Sequence, residues 1–433
     1  MSTVMMIESW LQSTGLTLPP LLRDSRHHYV LLTRDPGLYR LPDGRPHPVL
    51  ALADEVVVAE TNDDHATAAA AREVARRRRI DGVLSTCDYY LPAVAVAAAA
   101  LGLPGSAPDV LRAATRKHLV RRALAVAGVP DTAHATARTW LDARKVAAAL
   151  GYPLVVKPVD LNSGTGVRRV ADETALAEAF SAITGPERNS REQPLERLAL
   201  LEQVLEGPEV SVEAVTTGGR TRILGITAKT VEEVALPGGD TAYIETGHLF
   251  PAPLDTATRA VVERHVVATL DALGYTHGLS HTEVRLTSAG PRVVELNPRQ
   301  GGGFVFDLVR LVTGESPLAL LVDLALGRDV TTPPAGGTAA SAAVSFVTAP
   351  ADGVLRAVRG AEHLADDGRV VAWELPPAGR VVRPADNNDR LGHVLVADPT
   401  GGRAKEWADE IVAGLDLELE LTTPAETGVQ PAR

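Results

Sequence analysis

A multidomain chain of mixed α/β and α+β class is predicted by three observations: its length, the alternation of strands with helices near the amino terminus, and a shift to strand-rich patterning beyond it. The 433 residues exceed what one compact core holds. A composition 45% hydrophobic and 22% charged supplies aliphatic mass for several cores and excludes a disordered polymer.

Residues 29–33 and 56–59 read as buried strands, 65–79 as a helix, 82–85 as a third strand and 92–101 as an alanine-rich helix. That alternation predicts parallel βαβ units, hence a doubly wound amino-terminal α/β domain over 1–108. One or two helices follow over 109–127, stopped by Gly128-Val129-Pro130, and another over 141–150, ended by Gly151. Strands at 154–158, 198–204, 210–215, 222–227, 279–286 and 292–296, with helices at 173–183, 256–273 and 316–326, make a second domain over 109–330. Two stretches, 185–196 and 232–247 with its Pro237-Gly238-Gly239 turn, read as mobile loops of the length that forms lids. A linker at 331–337 leads to a carboxy-terminal α+β domain over 331–425, with strands at 340–347, 370–375 and 379–383, a helix at 403–414 and a frayed tail from Thr422.

Composition excludes several functions. The net charge of −11 argues against nucleic acid as a partner. A single cysteine, Cys87, precludes an internal disulfide or a multi-thiolate zinc site, which fits a reducing cytoplasm. The start of the chain lacks the basic and apolar stretches of a secretory signal, and no apolar run reaches the roughly 20 residues that cross a bilayer. There is no Gly-Lys dipeptide for a P-loop, no complete G-x-G-x-x-G and no G-x-S-x-G. His281-Thr282-Glu283 mimics the start of a zinc deaminase signature, but the paired cysteines are missing.

Lysine is scarce: Lys117, Lys145, Lys157, Lys229 and Lys405 are the only five. Lys157 ends a buried strand and precedes the Ser163-Gly164-Thr165-Gly166 loop, where an ammonium and unshielded backbone amides suit a polyphosphate. A lysine snorkelling beside an ordinary hairpin is the plain alternative.

The stronger signal runs from His281 to Arg299. Two alternating stretches flank a turn at 287–291, and pairing Leu286 with Arg292 sets Glu283 opposite Glu295, with Asn297 and Arg299 on the same face. Opposed carboxylates repel unless a cation lies between them, and such hard oxygen ligands suit Mg²⁺ bridging substrate phosphates. Arg299 can clamp a phosphate or carboxylate. The alternative is a solvated hairpin with Arg285 neutralising Glu283.

On these residues the chain resembles the ATP-grasp carboxylate–amine ligases. The matching pieces are Lys117 in Arg116-Lys117-His118, Lys157 and its glycine loop, the run from Glu202 to Glu213, and Glu283, Glu295, Asn297 and Arg299, in family order across 109–330. The layout is most similar to that of L-amino-acid ligases that make dipeptides, on Gly225 to Lys229, Glu245 to Pro251 and Asp389 to His393.

The resemblance implies an ATP-grasp fold and roles residue by residue. Lys117 and Lys157 contact ATP phosphates under a loop of Ser163, Gly164 and Gly166. Glu202, Gln203, Val204 and Leu205 form the adenine hinge, and Glu209 takes the ribose. Glu283, Glu295 and Asn297 hold one or two Mg²⁺ ions, for which Mn²⁺ can substitute. Arg299, with Lys157 and Asn297, serves the acyl phosphate. Lys229, His248, Arg299, Gly301 and Gly302 meet the substrates, a small-molecule carboxylate and an amine. A homodimer is the default assembly. Gly164-Thr165 departs from a family loop that often carries arginine beside its serine. Carboxylases or formate-using ligases of purine or biotin type, and a non-catalytic nucleotide binder, are the rival readings.

Overall fold

Four aliphatic strands, β1 (Thr3–Ile7), β2 (His28–Thr33), β3 (Glu55–Val58) and β4 (Gly82–Leu84), pair in parallel in the order β3-β2-β1-β4. Successive side chains of a strand point to opposite faces, and in β1 both faces are covered. Met5 and Ile7 pack in one core while Val4 and Met6 pack in another. The computed structural model describes residues 1–421 apart from Pro42, 236–240 and 383–386. Strand β1 and the helix Thr14–Asp24 are additions to the elements expected from sequence, the helix being disguised by Pro19 and Pro20 inside it. Strand order reverses at β1, which opens a crevice at the carboxyl ends of β1 and β4.

The middle of the chain supplies β5 (His134–Ala137), β6 (Leu154–Pro158), β7 (Arg168–Val170), β8 (Ala199–Gln203), β9 (Glu209–Thr217), β10 (Arg220–Ala235), β11 (Thr241–Phe250), β12 (Gly278–Thr287) and β13 (Gly290–Asn297). They run in the order β13-β12-β9-β10-β11-β7-β6-β8-β5. Two cores divide this sheet into lobes. Leu154, Val156, Leu176, Phe180 and Leu201 pack in the smaller lobe with the helices Trp140–Leu150 and Glu173–Thr184. Val212, Val266, Leu270 and Val284 pack in the larger with the helix Thr256–Ala272.

Two expected loops differ. Most of 232–247 is strand: β10 continues to Ala235 and β11 pairs with it from Thr241, because this Val/Thr/Tyr-bearing run folds back as its own antiparallel partner and is tied at its ends to Arg169 and Ser345. The Pro237-Gly238-Gly239 turn and the tail from Thr422 lie outside the described residues. The 185–196 stretch carries an isolated bridge, Arg188 to Pro194, and buries Arg191, whose Nη2 donates to the Ser9 carbonyl at 2.7 Å in the amino-terminal crevice.

Six further strands follow: β14 (Ser341–Val347), β15 (Gly353–Arg359), β16 (Val370–Glu374), β17 (Val381–Val382), β18 (Gly392–Asp398) and β19 (Asp416–Leu421). Strands β14, β18 and β16 extend the central sheet through pairing of β14 with β11, while β17, β15 and β19 form a separate sheet. Strands β15 and β19 are additions to the expected elements, although 416–421 alternates strictly between Leu and acid, and charges pair across them, Arg356 with Glu420 and Arg359 with Glu418. No described helix is long and apolar enough to cross a membrane.

Candidate functional site

A cavity of about 1280 Å³, its open mouth included, lies between the lobes. Its floor is the β12–β13 hairpin. Arg285 pairs with Arg292 and Leu286 with Pro291, one residue out of the register expected, yet Glu283 does stand opposite Glu295. The ladder shifts between Glu283 and Val284, leaving Val294 as the extra residue of a β-bulge. Asn297 closes the strand opposite His281.

The bulge has a second effect. The carbonyl of Val294 accepts from Lys157 Nζ at 3.1 Å and from Arg121 Nη2 at 3.0 Å. Both cations converge on Glu202, which lies 2.5 Å from Lys157 Nζ and 2.6 Å from Arg121 Nε. Burial alone would raise the Glu202 carboxyl, but Arg121 and Lys157 outweigh it and hold it down at about 2. Burial pushes the Lys157 ammonium below its ordinary value, with Glu202 opposing. The Glu202 side chain thus secures Lys157 at the cavity wall, while Gln203 and Leu205 from the same stretch line the cavity.

Lys229, on β10, is surrounded by carboxylates: Glu209 at 2.9 Å, Glu245 at 3.0 Å and Glu283 at 2.6 Å. Burial would lower its pKa, but these three glutamates hold it well above the ordinary lysine value. Glu283 is opposed by burial, yet Lys229 and His281 keep it at about 2. The His281 ring bridges Glu213 at 2.6 Å and Glu283 at 3.4 Å, and since both partners are acceptors the ring carries two protons, its pKa up at about 9 against the pull of burial. His248 lies between the Gly303 carbonyl at 2.9 Å and Glu245 at 3.0 Å. Arg285 pairs with Glu209 at 2.9 Å, not with Glu283, so the solvated-hairpin alternative does not describe this ribbon.

Ser163 and Gly164, both with positive φ, line the cavity mouth; Gly166 sits over Pro158, and Val204 is off the cavity wall. Arg299 and Gly302 line the same cavity, whereas the Gly301 amide donates to Glu213 at 3.2 Å. Lys117 is on the far side of Glu295, 3.2 Å from its carboxylate, and also donates to the Leu161 carbonyl. It lines a smaller adjoining cleft with Glu295 and Asn297.

Among the described residues no cluster of three His, Cys, Asp or Glu side chains forms a complete metal cage. Glu283, Glu295 and Asn297 nevertheless share one cavity wall and offer only oxygen from two opposed carboxylates and an amide. Such a partial set suits a hard divalent cation that completes its shell with phosphate oxygens and water. The carboxylates are meanwhile balanced by Lys229, His281 and Lys117.

Arg121, Glu213, Glu245 and Arg390 lie in stretches that carry the resemblance but were given no role there, and sequence reasoning singled out neither Asn387 nor Asp88. Arg121 was legible in principle, one helical turn after Lys117. Arg390 reaches the cavity from the carboxy-terminal region, its guanidinium 4.0 Å over the Phe346 ring and 3.7 Å from Glu245. Nothing local distinguishes Asp88, whose side-chain hydrogen bonds all go to residues distant in sequence.

Residues 150–307 match the ATP-grasp domain family, 28–105 the ATP-grasp N-terminal domain and 345–420 the L-amino acid ligase C-terminal domain 2. The Sinorhizobium fredii protein y4rH is 28% identical over 410 residues, 94% of this chain and 81% of that one. Human carnosine synthase 1 is 30% identical over 267 residues, 58% of this chain but 31% of the human protein, so the match spans about a third of that relative. The crystal structure of an L-amino acid ligase from Bacillus licheniformis superposes with a TM-score of 0.77 at 22% identity, covering 97% of this chain and 99% of that one, and shows the shared fold.

Proposed function

The chain belongs to the ATP-grasp superfamily and resembles its L-amino-acid ligases, and we propose that it joins a carboxylic acid, an amino acid, to the amine of a second amino acid with ATP as co-substrate. The carrying observation is one cavity that combines Lys157 and the Ser163–Gly164 loop with the opposed Glu283 and Glu295, Asn297 and Arg299.

A carboxylate does not acylate an amine directly because its oxygen leaves poorly. Attack of a carboxylate oxygen on the γ-phosphorus releases ADP and makes an acyl phosphate; the amine nitrogen then attacks the acyl carbon, and phosphate departs with the C–O bond electrons. Two anions must therefore meet. Lys157 and Arg299 place positive charge on either side of that meeting point. Mg²⁺ or Mn²⁺ held by Glu283, Glu295 and Asn297 would supply the remaining charge neutralisation between phosphates and acid. Glu245 and His248 offer a carboxylate and an imidazole to an amino group beside Lys229, whose ammonium holds Glu245 and Glu283 together.

The test is a screen of amino-acid pairs with ADP and phosphate release as readout and mass spectrometry of products. ADP release that needs both an acid and an amine, with a product heavier by the condensed partner, is expected. Bicarbonate-stimulated release without amino acid would replace this reading with a carboxylase, and ATP binding without turnover on any pair would remove catalysis.

A further inference from the structure

Asp88 belongs to the amino-terminal region, just beyond the carboxyl end of β4, and is 9% exposed. Its Oδ1 accepts from Arg299 Nε, 211 residues away, and from Trp10 Nε1 at 3.5 Å. Its Oδ2 accepts from Asn162 Nδ2 at 3.1 Å, while the neighbouring Tyr89 hydroxyl donates to Asn162 Oδ1 at 3.3 Å. Two consecutive residues of one domain thus hold both ends of the amide that precedes the Ser163–Gly164 loop, and one of them also holds Arg299.

Arg299 needs such a hold. Strand β13 ends at Asn297, so the arginine stands two residues past the last ladder position, and among the described residues Asp88 is the one carboxylate at ion-pair distance from it. A guanidinium that must meet developing phosphoryl charge loses most of its value if displaced by about 1 Å. The glycine loop depends on the same hold, since Ser163 and Gly164 adopt left-handed backbone and the turn is closed by Thr165 N donating at 3.0 Å to the carbonyl of Asn162, whose side chain Asp88 and Tyr89 grip.

We infer that Asp88 is a positioning residue that sets Arg299 and the Ser163–Gly166 loop in register with each other across the domain boundary. This rests on the reading of Arg299 as the group that serves the transferred phosphoryl. It makes the amino-terminal domain a part of the phosphoryl site, through a side chain that lies off the wall of the main cavity.

The experiment compares Asp88→Asn, Arg299→Ala and the double variant in the full chain. ADP release is measured with ATP, Mg²⁺ and an equimolar mixture of the twenty protein amino acids, and hydrogen exchange is followed in the nucleotide-free protein. Asp88→Asn is expected to lower kcat by about 10-fold or more with the KM for ATP within about threefold, and to add little to Arg299→Ala. Exchange should accelerate in peptides covering 160–168 and 298–303 and stay unchanged in β2. Wild-type kinetics and exchange for Asp88→Asn, with Arg299→Ala impaired, would overturn the inference and leave the proposed function standing. Acceleration spread over the whole amino-terminal sheet would also overturn it, as a general loss of stability. An active Arg299→Ala would instead overturn the role given to Arg299, and the local exchange pattern alone would then decide whether Asp88 registers the two segments.

Discussion

Glu283 faces Glu295 across the β12–β13 ladder, although the pairs nearer the turn, Arg285 with Arg292 and Val284 with Val293, run one residue out of that register. The bulge at Val294 absorbs the difference. It also turns the Val294 carbonyl toward Lys157 and Arg121. One extra residue thereby sets the spacing of the proposed metal carboxylates and anchors the cation beside them.

Glu295→Gln keeps the shape of the ribbon and removes one of the two opposed charges. Turnover should fall by about 100-fold or more, and ATP binding followed by calorimetry should no longer strengthen when Mg²⁺ is added. Full turnover in this variant would overturn the metal assignment.

Glu202 neutralises two buried cations, so Glu202→Gln leaves Arg121 and Lys157 facing each other with one partner fewer. Breaking a buried pair in this way costs about 3–5 kcal/mol. Urea unfolding should register that loss, and loosening of Lys157 should weaken ATP binding in parallel.

Gly207 precedes β9 with φ of +123°, and a Cβ there would lie 2.2 Å from the Leu286 carbonyl oxygen. Gly207→Ala should therefore destabilise the chain by about 2 kcal/mol or more, since neither backbone can yield cheaply. A thermal melt within error of the parent would contradict this.

His265, in the helix Thr256–Ala272, is held at about 4 by burial, with Arg292 adding to the effect. The unfolded chain binds this proton near the ordinary value of 6.5, so stability is fully present above that pH and is lost as pH falls toward 4. His265→Leu, far from the cavity, should flatten the pH dependence of the melting temperature across that window, whereas an unchanged slope would assign the acid sensitivity elsewhere.

The sequence by itself determined the strands that carry Lys157, Glu283 and Glu295 and the glycine loop between β6 and β7, because period-two patterning and left-handed glycines are local properties. It also determined that two carboxylates oppose each other, through a pairing whose upstream register the bulge shifts. Only the tertiary structure decided what each charge meets. Lys229 gathers Glu209, Glu245 and Glu283 from three other strands, Lys117 sits on Glu295 beside the cavity instead of within it, and Asp88 reaches Arg299 from another domain. Sequence spacing sets which side chains share a face, but ion pairs form between faces that the fold alone brings within a few ångströms, and burial then decides how strongly each is felt.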